Sequence, residues 1–288
     1  MKSNEQDTPK IGCHISIRKG YLEAAHSAYL LGAGAYQYFP KNPRSLSVKS
    51  FNMADALSCA SYSKEYGLVS IAHTPYPTNL AVHDPGLMNK TVESLLNDLI
   101  IAEACGSIGV VVHFGKGKSA DPLTDYRQIL AALDEVLKEW KGRAKLLIEN
   151  QAGDGSPMGT TLHELVQIRS LASFPEKLGF CFDTCHAYAS GLWRPGGWKE
   201  LVEIGNQLGY WREVGAIHLN DSVYPFASRK DRHAGIGCGA IGESQLREVL
   251  ECPLLREVPF VLETGVGADG THHEEIQMAQ EWARGTPS

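Results

Sequence analysis

The stretch IGVVVHFGKGKSADPLTDYRQILAALDEVLKEWKGRAKLLIEN, residues 108–150, holds a whole structural unit. It opens on a short apolar run, IGVVVHFG, which reads as a buried strand. In DPLTDYRQILAALDEVLKEWKG the apolar residues then fall at three- and four-residue spacing, the period of an amphipathic helix, and Gly142 stands where a helix stop belongs. A second apolar run, AKLLIEN (144–150), follows. A strand, a helix and another strand in this order predict a parallel pair with the helix laid over it.

The same alternation runs through the chain. The other apolar runs are KIGCHIS (10–16), GAYQYFP (34–40), LVSIAHT (68–74), LGFCFDT (178–184), VGAIHLND (214–221) and VPFVLET (258–264). Helical stretches such as TVESLLNDLIIAEACG (91–106) lie between them, with Gly106 and Gly209 as further stops. Eight strands alternating with helices in 288 residues predict an α/β fold, a closed (β/α)8 TIM barrel. An open doubly wound sheet is the alternative, but it normally offers a Gly-rich phosphate turn after its first strand, and GCHISIRKG is not GxGxxG. We expect one barrel domain over 1–288, with flexible termini at 1–9 and 285–288.

Composition narrows the function. No apolar run approaches the roughly 18 residues of a membrane span, and MKSNEQDTPK lacks the apolar core of a secretory signal. Seven cysteines without CxxC pairs read as reduced thiols, which points to the cytoplasm. Cys59, Cys105 and Cys181 lie in apolar contexts and read as packing residues. A formal net charge of -6 argues mildly against nucleic acid as a partner.

The strand ends carry the chemistry. They present His14, His73, His113, Glu149, Asp183 with His186, His218 and Glu263, whereas the second strand runs on into FPKNPRS. In a barrel these ends converge on one mouth. Asp231 and His233 add a DxH pair after strand seven, both on one side of an extended segment. Any one of these residues alone is more simply a satisfied polar or cap residue, and His83, His163, His272 and His273 are left with that reading. Four carboxylates gathered in one small volume would repel one another unless cations lay among them. Imidazole with carboxylate suits zinc, with manganese or iron as alternatives at one or more positions.

GCHIS, AHTPYPTNL, VVHFG, LIENQAGDGS, FDTCHAYASG, IHLNDS, KDRHAGIGCGAIG and VLET together resemble endonuclease IV, the zinc-dependent apurinic/apyrimidinic endonuclease family, over roughly residues 10–280. The resemblance implies three zinc ions. His73, His113 and Glu149 would hold one; Glu149, Asp183, His218 and Glu263 a second, with Glu149 shared; His186, Asp231 and His233 the third. It assigns Cys185 to packing. Three dications would offset the chain's -6 and turn the mouth locally positive, which removes the charge objection to DNA. It further implies a DNA repair enzyme acting on double-stranded DNA with abasic sites, incising 5′ to the lesion to leave a 3′-hydroxyl and a 5′-deoxyribose phosphate, with Glu149 catalytic. Arg44 and Tyr76 match positions that enter the duplex and fill the space of the missing base; Asn42 and Asn79 match weaker contacts to phosphate or sugar. Lys116, Lys118, Arg229 and Lys230 are placed to meet backbone phosphates. Pro43, Leu46, Pro77, Cys238 and Ala227 depart from the family pattern, Ala227 where glycine is usual, and none is a zinc ligand. We expect a monomer with no membrane association. Two other readings compete: a metal-dependent sugar isomerase or epimerase on the same barrel, and a zinc-dependent protein that binds abasic DNA without cutting it.

Overall fold

The computed structural model describes residues 8–285. The expected flexible ends therefore lie outside the described residues, apart from positions 8, 9 and 285. Eight parallel strands close into a barrel: β1 Ile11–His14, β2 Ala35–Tyr38, β3 Val69–His73, β4 Gly109–His113, β5 Lys145–Glu149, β6 Leu178–Asp183, β7 Val214–His218 and β10 Phe260–Leu262, with β10 pairing to both β7 and β1. All eight fall inside the runs expected from the sequence. A two-residue antiparallel ribbon, β8 Asp221–Ser222 with β9 His233–Ala234, was not expected; it lies in the long connection after β7. Among the described residues no helix is long and apolar enough to cross a membrane.

The helices start where caps dictate. The helix expected from Thr91 begins six residues earlier, at Pro85, because the Asp84 carboxylate accepts from the Leu87 N–H and proline suits the first turn. Asp121 and Pro122 open the helix Pro122–Glu139 in the same way. Gly106 and Gly209 follow helix ends with positive φ, as expected of stops. Gly142 is a correction. Its helix ends at Glu139, and Gly142 is not among the positive-φ glycines. A Cβ there would lie 2.1 Å from the Trp140 ring, so glycine leaves room for that indole.

The barrel interior explains how the site is aimed. Ile71, Val111, Leu147, Cys181, Ala216 and Val261 form one buried cluster. Each lies two positions before His73, His113, Glu149, Asp183, His218 or Glu263. Side chains alternate along a strand, so the parity that plugs the barrel with apolar residues also points those six polar side chains inward, one layer nearer the mouth. Below this layer Leu147 fills the centre, and a Cβ on Gly109 or Gly179 would come within 2.9 Å of it. Strand register sets His113 beside Glu149 and Asp183 beside His218.

Candidate metal centre

Two elements beyond the barrel strands complete the mouth. Asp183 ends β6 and caps the short helix Thr184–Ser190, its Oδ1 accepting from the His186 N–H at 2.6 Å. This is why DxxH works here: the cap holds His186 one turn on, while Oδ2 faces inward, toward Asn220 and His233. His186 Nδ1 lies 3.0 Å from the Asn150 carbonyl, which leaves Nε2 toward Asp231 Oδ2 at 3.3 Å. Asp231 and His233 lead into the ribbon, with His233 Nε2 3.3 Å from Asp231 Oδ1.

All nine expected ligands converge. Glu149 lies at the centre: its Oε2 is 3.2 Å from His113 Nε2 and 3.5 Å from His73 Nε2, and its Oε1 is 2.9 Å from His218 Nδ1 and 3.4 Å from His186 Nδ1. Donor atoms of His73, His113 and Glu149 all lie within 4.8 Å of one another, as do those of Glu149, Asp183, His218 and Glu263. His186 and His233 group with Asp183, whose Oδ2 is 3.8 Å from His233 Nε2, so this carboxylate stands between two ligand sets. Cys185 is buried as expected. Its thiol lies 3.7 Å from the Arg232 carbonyl, close to Asp231 and His233, and burial pushes it up to about 12.

The donor set fits metal ions on two grounds. Separations of 3.2–3.5 Å between donors are close to the roughly 3.3 Å edge of a tetrahedron with Zn–N and Zn–O bonds of about 2.0–2.1 Å. Glu149 Oε2 and His233 Nε2 are buried and, among the described residues, have no hydrogen-bond partner, a costly condition unless something else satisfies them.

The clustered carboxylates also raise the proton affinity of the imidazoles beside them. Burial pushes Glu149 up, but His218 and His113 pull it well below the carboxylate range. Burial lowers His233, yet Asp231 and Asp183 raise it to about 9; Asp183 and Asp231 likewise carry the buried His186 well above its ordinary value. Ligation needs neutral imidazole, so metal uptake must displace these protons. We expect zinc binding to release protons at pH 7 and apparent affinity to climb as pH rises toward 9. Calorimetry in buffers of differing ionisation enthalpy checks this; a buffer-independent heat would contradict it.

The sequence reading missed several supports. Gln37 on β2 is fully buried in the mouth; the second strand is not without a polar contribution, and its residue is a neutral amide. Asn150 clasps the Asp183 backbone from both sides, at 2.8 and 3.0 Å. Asn220 donates to Asp183 Oδ2 at 2.7 Å and accepts from the Glu263 N–H at 2.9 Å. His272, read from sequence as an ordinary polar residue, lines the mouth cleft of about 330 Å³ together with His14, Phe39 and Tyr76.

The expected DNA-contact residues rim that cleft. The exposed Tyr76 packs on Phe39 with centroids 5.1 Å apart, and its N–H donates to the Pro43 carbonyl at 2.8 Å, joining its loop to the one that carries Arg44. That second loop lines an adjoining groove of about 1070 Å³ with Arg18, Arg44 and Lys49 on its walls. Asn42 accepts from the Arg44 N–H at 3.0 Å. The Asn79 amide is engaged by the Lys116 backbone at 2.9 and 3.3 Å, so it shapes the mouth by tying two loops together. Lys116, Lys118, Arg229 and Lys230 are exposed. Ala227 and Arg229 have φ of +57° and +55°, which costs roughly 1–2 kcal/mol for a non-glycine residue. Backbone bonds to Tyr188 and Ala189 hold this loop in place.

A family model described as xylose isomerase-like TIM barrel matches residues 25–285, which sets the class: a (β/α)8 barrel with a carboxylate and imidazole mouth. The protein named "Probable endonuclease 4" of Symbiobacterium thermophilum is 43% identical over 271 residues, covering 94% of this chain and 98% of that protein. The crystal structure of endonuclease IV from Thermus thermophilus matches with a TM-score of 0.85 at 33% identity, covering 96% of this chain and 100% of that one. The chain belongs to the endonuclease IV family. A D-tagatose 3-epimerase-like protein matches with a TM-score of 0.70 at 19% identity, covering 96% of this chain and 98% of that one, a likeness of fold alone.

Proposed function

We propose that this chain is a DNA repair endonuclease that hydrolyses the phosphodiester 5′ to an abasic site, acting as a cytoplasmic monomer with three zinc ions. The observation that supports it best is the convergence on Glu149, whose two oxygens face imidazoles from three strands and from the helix after β6. His73, His113 and Glu149 would hold one ion, Glu149, Asp183, His218 and Glu263 the second, and His186, Asp231 and His233 the third. When bound, such ions acidify water toward pKa 7 and oppose the charge of a phosphodiester. Glu149, placed between the ligand sets, orients the attacking water. A P–O bond forms from that water, the bond to the 3′ oxygen breaks in line, and a proton ends on the leaving oxygen. The products are a 3′-hydroxyl and a 5′-deoxyribose phosphate. Asn150, Asn220 and the helix cap hold Asp183, His186 and Glu263 in place, which limits the reorganisation that the growth of charge requires. Arg44 and Tyr76 fill the gap in the stack, which costs least to open where a base is missing.

Metal analysis is expected to find three ions per chain, and the loaded protein to nick duplex DNA at a single abasic site but not after chelation. A sugar isomerase would leave the DNA whole and carry one or two ions. A pure binder would shift the DNA in a gel without nicking it.

A further inference from the structure

Gln37 reaches into the mouth from β2, whose end carries neither a histidine nor a carboxylate. Its Nε2 is 2.6 Å from Glu263 Oε1 and 3.3 Å from His14 Nδ1; its Oε1 is 2.7 Å from His218 Nε2. The orientation of the amide follows from its partners. An ionised carboxylate only accepts, so the NH₂ must face Glu263, since the flipped amide would set oxygen against oxygen. The amide oxygen then faces His218 Nε2. That oxygen also only accepts, so His218 carries a proton on Nε2. Its other nitrogen, Nδ1, points at Glu149 Oε1 at 2.9 Å, Glu263 Oε2 at 3.1 Å and Asp183 Oδ2 at 3.8 Å. The second amide hydrogen faces His14 Nδ1, which therefore accepts.

We infer that Gln37 is a positioning residue for the metal centre: its single amide selects the His218 tautomer that aims Nδ1 at the three carboxylates and at the same time holds Glu263 in place. The inference rests on the metal-centre reading above. Ligating histidines commonly donate their other N–H to a carboxylate, a carbonyl or water. Here a neutral side chain does this, and it orients a second ligand with the same group. Neutrality matters because a carboxylate at this position would add a fifth negative group to a mouth that already holds Glu149, Asp183, Asp231 and Glu263.

The test uses the full chain loaded with zinc. In the unaltered protein, long-range ¹H–¹⁵N spectra of labelled histidine should show His218 protonated at Nε2; protonation at Nδ1 would overturn the inference and needs no variant to be seen. In Gln37→Leu, which keeps the bulk and removes both hydrogen-bonding ends, one zinc of the set should be lost to a competing chelator at about 10- to 100-fold lower chelator activity, with the remaining ions held as before. Gln37→Glu should lose it at least as readily, because the new carboxylate faces Glu263. If the unaltered chain binds no zinc, the metal-centre reading fails first. If it binds three and Gln37→Leu retains all of them equally tightly, with an unchanged His218 signal, the inference alone is wrong.

Discussion

Exchanging Glu149 for glutamine is expected to strip metal from the mouth and to slow nicking of abasic duplex by at least about 10²- to 10³-fold, the scale of losing one preorganised electrostatic group. The exchange preserves size, so the barrel interior beneath, where Leu147 packs, has no reason to move. The electrostatics change completely. Glu149 is fully buried and meets four imidazoles, two at each oxygen. An amide keeps one acceptor and turns the other end into a donor. If the NH₂ faces His73 and His113, it opposes the lone pairs that would ligate; if it faces His218, it opposes Nδ1 instead. Either way one ligand set loses its anion and the neighbouring set loses the shared bridge. Metal content per chain should therefore fall by more than one ion, and single-turnover nicking should fall with it, while far-ultraviolet circular dichroism stays unchanged. A variant that kept its full metal complement and its rate would remove Glu149 from the centre of the mechanism.

The residues that converge on the mouth were legible because a charged residue at the end of an apolar strand is anomalous, and period-two alternation says which way it points. His73, His113, Glu149, Asp183, His218 and Glu263 share one parity with the buried layer beneath them, and that parity can be read without coordinates. Asp231 and His233 lie outside the barrel strands, but DxH spacing in an extended segment still put them on one side. The neutral supports gave no such signal. Gln37 reads as one more residue of an apolar strand, and its meaning comes from Glu263, 226 positions away. Asn150 and Asn220 each follow a ligand closely and look like turn residues until their backbone partners are known. Asn79 carries a role its motif did not suggest: its hydrogen bonds to the Lys116 backbone brace two loops of the rim. Lys41, next to the expected wedge residues, reads as one solvated lysine among many, yet it is buried. Its partner Asp98 is an acid within the apolar run LLNDLIIA, and the sequence alone assigned it no role.

Removing that acid, Asp98→Ala, is expected to cost about 3–5 kcal/mol, the usual consequence of leaving a buried charge unpaired. Lys41 Nζ lies 2.6 Å from Asp98 Oδ1 and 2.6 Å from the Ser94 carbonyl, and both side chains are essentially inaccessible. Burial pushes the Asp98 carboxyl up to about 7 against the pull of Lys41, and burial lowers Lys41 as well. Desolvation therefore outweighs attraction for each partner, and the pair adds little compared with two apolar side chains. Breaking it is another matter, because the ammonium would keep only one carbonyl. The double change Lys41→Met with Asp98→Leu should accordingly recover most of the loss, and urea unfolding with an unchanged m value would measure both. The pair also has a functional side. Lys41 roots the loop that carries Arg44, and Asn97 clasps the other end of that loop through the Lys49 backbone at 2.8 and 3.1 Å. Freeing one root should raise KM for abasic duplex more than it lowers kcat, since the nine proposed metal ligands lie on other elements and are left in place. A loss below about 1 kcal/mol in Asp98→Ala, the scale of an exposed pair, would mean that Lys41 finds water or sheds its proton, and the loop would then rest on the Asn97 clasp, the Tyr76 to Pro43 bond and the bonds that Tyr21 and Lys49 make at Pro40.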